Sequence, residues 1–118
     1  MKALLIDPYE RTIKEVKHAG DLKSLYELLD CSMVEAPIDY PNGDTLYCDE
    51  EGWVYPREFL AGFMFPDWDY PILGKALIVG SDEDGRDVGC LSDVDDFKNI
   101  IWKNHNEMMK HGERIGML

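Results

Sequence analysis

The chain has 118 residues, a length that fits one domain, because single hydrophobic cores usually span about 100–150 residues. Its composition of 45% hydrophobic, 11% aromatic and 31% charged residues is that of a globular protein rather than of a disordered or membrane-spanning chain. Twelve Lys and Arg residues face 24 Asp and Glu residues, giving a formal net charge of −12. That charge argues against direct binding to nucleic acid or to an anionic membrane.

The first half of the chain predicts a hairpin, a helix and further strands. Apolar and polar residues alternate in the strand segments, and leucines recur at helical spacing behind Asp21, a residue type that caps helix starts. Asn42-Gly43 favours a tight turn, because both residues tolerate the positive φ that such turns require. In chain order we predict strands at 2–7 and 12–17, a helix over 21–29, and strands at 33–38, 45–48 and 53–55.

The second half predicts a long loop, a hairpin and a C-terminal helix. Pro56 suits the first position of a short helix, but residues 56–73 as a whole are rich in aromatic residues and proline and predict an irregular loop. Residues 75–79 and 87–91 predict two strands joined by a turn. Ser92 is a candidate cap for a helix over 92–111, whose first turn carries three aspartates, as helix N-termini prefer.

Together these elements predict an α+β protein forming one domain over residues 1–118. We expect a single, mainly antiparallel sheet with two helices on one face. The opening hairpin and helix also fit the start of a β-grasp.

The cysteines predict a reducing compartment. Cys31, Cys48 and Cys90 are odd in number and lack a C-x-x-C spacing, so neither a disulfide framework nor a zinc site is indicated. The apolar stretch after Met1 is too short for a signal peptide. We therefore expect three free thiols and a location in the cytoplasm of the host cell.

Four strand and turn segments occur in an order that matches a known family: MKALLIDP at residues 1–8, LYCDEEG at 46–52, GKALIVG at 74–80 and LSD at 91–93. Over roughly residues 1–100 the chain resembles a family of small phage and mobile-element proteins catalogued only as a domain of unknown function, the 3846 family. The resemblance implies a phage or conjugative-element setting. It implies no established activity and no site residues.

Acidic residues are concentrated in the middle of the chain. Residues 24–97 have a net charge of −15, whereas residues 1–23 and 98–118 have net charges of +1 and +2. If the acids of separate turns share one surface, their density approaches that of duplex DNA, about one charge per 1.7 Å. The alternative is charge used for solubility alone. The candidate partner-binding acids are Glu35, Asp39, Asp44, Asp49, Glu50, Glu51, Asp82, Glu83, Asp84 and Asp87.

A second candidate feature is the aromatic loop, where five aromatic residues fall between Phe59 and Tyr70. Such a loop either completes a small core or presents aromatic side chains to a partner. The candidate partner-binding residues are Phe63, Phe65, Trp68 and Tyr70.

No catalytic, metal or cofactor motif is evident. An EF-hand loop centred on Gly52 would begin at Tyr47, and one centred on Gly85 would begin at Gly80, so neither supplies the required first oxygen ligand. We therefore hypothesise a non-enzymatic accessory protein that binds the basic surface of a host nucleic-acid-handling protein, in one version by mimicking DNA. The alternative is a module for a nucleotide-type small molecule, with a pocket of Trp53, Tyr55, Arg57 and Trp68.

Overall fold

The structure, a computed structural model, describes residues 1–53 and 58–117. Its helices are α1 (Leu22–Leu29) and α2 (His105–Arg114), with a 3₁₀ helix at Val94–Phe97. Helices combined with a mainly antiparallel sheet confirm the α+β class. The strands are β1 (Lys2–Asp7), β2 (Thr12–Lys17), β3 (Val34–Asp39), β4 (Asp44–Asp49), β5 (Gly62–Met64), β6 (Ile72–Leu73), β7 (Ala76–Ser81), β8 (Asp87–Val88) and β9 (Ile101–Lys103).

The larger sheet has the strand order β2-β1-β7-β4-β3, and β8 pairs with the end of β7. Successive side chains of a strand point to opposite faces, so Leu4 and Ile78 lie on one face of the sheet and Ala3, Leu77 and Val79 on the other. The resemblance to a β-grasp is limited to the opening hairpin and α1. A β-grasp pairs its first strand in parallel with the central strand, whereas β1 is antiparallel to β7.

Helix α1 covers the Leu77 face of the larger sheet. Its start is fixed as predicted, because the side chain of Asp21 accepts a hydrogen bond from the Ser24 backbone N–H. Leu25 and Leu29 are buried against Leu77 and its neighbours. A helix of two turns is marginal in isolation, so this apolar contact stabilises it.

The opposite face is covered by a second sheet with the strand order β6-β5-β9. Phe63 of β5 is fully buried with Leu46 and Ile78. Helix α2 packs on this second sheet through Met108, whose Sδ would lie 2.6 Å from a Cβ added at Gly62. The expected single sheet with both helices on one face is therefore corrected to two sheets, with α1 on the first and α2 on the second.

The predicted helix over 92–111 is wrong. The chain instead forms the 3₁₀ helix, strand β9 and helix α2. Asp93 rather than Ser92 precedes the 3₁₀ helix, and residues Ile101–Lys103 pair with β5. Asn104 and Glu107 then form a reciprocal capping box that begins α2.

The region 56–73 is more regular than predicted. It contains β5 and β6, which pair with each other. The short helix expected from Pro56 is absent from 58–61, the part of it that the structure describes. Residues 54–57, which carry most of the strand expected at 53–55, lie outside the described residues.

Candidate functional site

The ten candidate acids do not form one patch, because strand register divides them between the two ends of the larger sheet. Asp44 pairs with Gly80 and Cys48 with Ala76, so residues after β7 lie near the start of β4. These two ends are about 15–20 Å apart at about 3.3 Å per residue. The end of the sheet with the β7–β8 turn, which we call the turn end, carries Asp39, Asp44, Asp82, Glu83, Asp84 and Asp87. The opposite end, where β4 ends beside a surface groove, is called the groove end and carries Glu35, Asp49, Glu50 and Glu51.

Asp44 is a structural residue, not a surface acid. It is 1% exposed, and its carboxylate accepts hydrogen bonds from the backbone N–H groups of Leu91 and Ser92 at 3.0 and 2.8 Å. The Ser92 hydroxyl and the Asn42 amide also donate to it. Burial alone raises the pKa of Asp44, but these hydrogen bonds outweigh burial and lower it below its ordinary value. This carboxylate ties residues 91–92 to β4.

Asp87 is held inside the fold by His18. The ring of His18 is 1% exposed, with Nε2 2.7 Å from the Asp87 carboxylate and Nδ1 2.9 Å from Ser24 Oγ. A Ser-His-Asp set is the arrangement of many hydrolases. Here, however, Ser24 Oγ also accepts the Ala19 N–H, which holds it against the buried ring instead of presenting it to a substrate. The network fixes the start of α1 against β2 and β8. No local sequence pattern predicts this network, because Asp87 lies 69 residues from His18.

The turn between β7 and β8 neutralises part of its own charge. The Asp82 carboxylate accepts hydrogen bonds from the backbone N–H groups of Arg86 and Asp84. The Arg86 guanidinium contacts the carboxylates of Asp82 at 3.2 Å and of Asp84 at 3.0 Å. The hydrogen bond from the Arg86 backbone is the main cause that lowers the pKa of Asp82. Of the other turn-end acids, Asp39 is exposed and accepts a hydrogen bond from the Thr45 hydroxyl at 3.1 Å, and Glu83 is an exposed residue of this turn.

At the groove end, aromatic and acidic side chains meet in a cavity of about 190 Å³, which we call the first lobe. Trp53, Trp68 and Tyr70 line it together with the acids Glu35 and Glu50. Asp49 also belongs to the lining. No Lys, Arg or His occurs among the described residues that line this lobe.

A β-bulge in β3 turns Glu35 toward the first lobe. Glu35 pairs with Cys48 and Ile38 with Leu46, so three residue steps on β3 oppose two on β4. The extra residue reverses the alternation and brings Glu35 to the same face as Ile38. The thiol of Cys48 donates to Glu35 at 3.7 Å, and burial raises the pKa of that thiol to about 12, so it stays protonated.

A second cavity of about 510 Å³, the second lobe, lies further along the same strand. It is lined by Ile38, Tyr40, Phe65 and Phe97, and by Trp68, which it shares with the first lobe. Asp67 and Asp96 are exposed acids of its lining. The two lobes together form what we call the β3 groove.

The aromatic loop serves both the core and the groove. Phe63 is fully buried and Phe65 half-buried, with their ring centroids 5.5 Å apart, so these two complete the core, and Phe63 is corrected from a partner-binding residue to a core residue. Trp68 is half-buried and Tyr70 is 62% exposed; both line the first lobe. Phe65 also lines the second lobe, so the loop supplies three candidate binding residues instead of four.

The alternative ligand pocket is assembled in part. Trp53 and Trp68 line the same lobe, as proposed from the sequence, whereas Tyr55 and Arg57 lie outside the described residues. Lys75 pairs with Asp30 at 2.6 Å and Arg86 pairs with acids of its own turn, so these two bases do not converge on the lobe. The acidic lining disfavours a phosphorylated ligand.

Cys31, Cys48 and Cys90 are free thiols. Within residues 1–53 and 58–117, no group of three or more His, Cys, Asp or Glu side chains is arranged to hold a metal ion. The helices in those residues are also too short or too polar to cross a membrane.

The fold and the groove define a small α+β protein with an acidic, aromatic-lined surface groove along an edge strand. The family model described as Domain of unknown function (DUF3846) matches residues 1–101. The chain belongs to this family, which confirms the resemblance seen in the sequence. Helix α2 lies beyond the matched residues. No curated protein and no solved structure matches the chain.

Proposed function

We propose that the protein is a non-enzymatic binding module that takes a basic segment of a partner protein into the β3 groove. The observation that carries the proposal is the first lobe, whose lining Trp53, Trp68 and Tyr70 share with the acids Glu35 and Glu50. Aromatic faces attract Lys and Arg cations by about 0.5–2 kcal/mol. A carboxylate beside the ring adds a charge-assisted hydrogen bond.

The charge of the whole molecule supports the same class of partner. A net charge of −12 attracts a basic surface from a distance and raises the association rate at low salt. We extend the proposal to an accessory protein of a phage or mobile element that acts on a nucleic-acid-handling protein of the host. We do not extend it to mimicry of duplex DNA, because the acids are divided between two ends and Asp44 and Asp87 are engaged inside the fold.

The experiment compares two double variants of equal net charge. Glu35→Gln with Glu50→Gln removes the acids of the first lobe, whereas Glu15→Gln with Glu27→Gln removes exposed acids of β2 and α1. Binding of a labelled Arg-Gly repeat peptide is measured by fluorescence anisotropy at about 0.15 M salt, where exposed charges are screened over about 8 Å. We expect the first variant to weaken binding about tenfold and the control about twofold or less. Equal losses would show that the peptide responds to net charge alone and would refute the groove as the binding site.

A further inference from the structure

We propose that the β3 groove recognises two side chains of an extended partner segment: a Lys or Arg in the first lobe and a large apolar side chain in the second. The two side chains would lie two residues apart, because side chains of an extended segment alternate between its two faces. This inference rests on the proposed function and specifies the motif that the groove reads.

The first lobe fits one cationic side chain better than a small-molecule ligand. Its volume of about 190 Å³ lies below the range of about 300–1,000 Å³ that is typical of small-molecule sites. Glu35 and Glu50 carry negative charge there, and the described lining contributes no positive charge. A guanidinium or ammonium group placed there forms charge-assisted hydrogen bonds with these acids and cation–π contacts with the rings of Trp53 and Trp68.

The second lobe fits an apolar side chain. Its volume of about 510 Å³ is larger, and Ile38, Phe65 and Phe97 give it an apolar and aromatic lining. Two acids of its lining, Asp67 and Asp96, are exposed to solvent. Their negative charge disfavours an anionic occupant, while the rest of the named lining stays apolar and aromatic. Aromatic and apolar anchors in such pockets supply most of the energy of many interfaces.

The spacing of the motif follows from strand β3. Glu35 lines the first lobe and Ile38 the second, three residues apart on a strand shortened by the bulge. At about 3.3 Å per residue, the two lobes are at most about 10 Å apart along the strand. In an extended segment of the partner, two residues span about 7 Å, which lies within that limit and places both side chains on the same face.

Recognition by side chains also fits the state of the strand edge. Strand β3 is at the edge of the larger sheet, but Pro37 has no N–H to donate and the bulge interrupts the ladder. A partner strand is therefore poorly held by main-chain pairing with β3. Side chains seated in the two lobes, on either side of Trp68, supply the binding instead.

The test uses short Gly-Ser peptides of equal composition, each with one Arg and one Trp, in which the number of intervening residues is varied. The signals of the Trp53 and Trp68 indole N–H groups are followed by NMR during titration with each peptide, and Trp102 of β9 serves as the internal control. We expect the tightest binding at the spacing derived above, about tenfold tighter than with adjacent or widely separated residues. At that spacing, replacing either the Arg or the Trp of the peptide with Ala should remove the advantage.

Three results would overturn the inference. Affinity independent of spacing would mean that the lobes do not act together, and shifts confined to Trp102 would place the peptide elsewhere. A lack of binding at every spacing refutes the motif as well. The proposed function is judged separately, because it depends on the difference between the two charge-matched variants and not on spacing.

Discussion

At the turn end of the larger sheet, Asp44 is buried and accepts hydrogen bonds from Asn42, Leu91 and Ser92, whereas at the groove end Glu35 is exposed and accepts a weak thiol hydrogen bond from Cys48. Both are carboxylates on neighbouring strands of one sheet. The difference lies in the donors around them. Where backbone N–H groups converge on a carboxylate, it stabilises the fold; where an exposed acid shares the lining of a cavity with aromatic residues, it remains available to a partner.

The largest expected effect is that of removing the buried carboxylate. Asp44→Ala should lower the free energy of unfolding by about 3–4 kcal/mol, because it leaves the donors of residues 91–92 and of Asn42 unsatisfied inside the protein. Urea unfolding followed by tryptophan fluorescence measures the change. The matched control is Glu50→Ala at the groove end, for which we expect a change within about 0.5 kcal/mol. Comparable changes in the two variants would contradict the distinction between the ends.

The second largest effect should come from the network of His18, Ser24 and Asp87 at the turn end. His18→Ala should cost about 2–3 kcal/mol, since it leaves a cavity and deprives both Asp87 and Ser24 of a partner. Ser24→Ala removes one hydroxyl from the same network and should cost about 1 kcal/mol. Thermal unfolding of the two variants shows which substitution lowers stability more. A larger loss for Ser24→Ala would show that the hydroxyl, not the ring, holds α1 in place.

A smaller effect concerns the acid limb of stability. The pKa of Asp44 is lower in the folded protein than its ordinary value of 3.8, so the folded state binds fewer protons than the unfolded chain at acidic pH. The stability from this residue is therefore complete well above pH 3.8 and is lost as pH falls through the ordinary and then the folded pKa. Asp44→Asn should unfold with a weaker dependence on pH below about 5. Parallel acid limbs in the two proteins would exclude Asp44 as a source of this dependence.

Elements that depend on local patterns were predictable from the sequence. The alternation in residues 2–7 and 12–17, the Asp21 cap and the Asn42-Gly43 turn lie within a few residues of the structure they determine. Trp53 and Trp68, two of the four residues of the ligand pocket hypothesised from the sequence, both line the first lobe.

Features that depend on distant pairing were not predictable. Residues Ile101–Lys103 form a strand because β5 lies beside them, and a helical pattern read locally does not contain that information. The start of α2 differs from these features, because a local signal marks it: Asn104 is followed three residues later by Glu107, the spacing of a capping box at a helix N-terminus. The division of the acids needed the register of β4 against β7, and the orientation of Glu35 needed the bulge.

The smallest expected effect has the opposite sign. Among the described residues, the hydroxyl of Tyr40 is a buried polar group without a hydrogen-bond partner, and burial raises the pKa of this residue. Tyr40→Phe keeps the edge-on ring contacts with Phe65 and Phe97 and removes a desolvated group, so it should stabilise the protein by about 0.5–1 kcal/mol. The midpoint of thermal unfolding should rise by about 2–5 °C. A lower midpoint would mean that a bound water satisfies the hydroxyl. In that case the Tyr40 hydroxyl stabilises the fold through a hydrogen bond, as the Asp44 carboxylate does at the turn end.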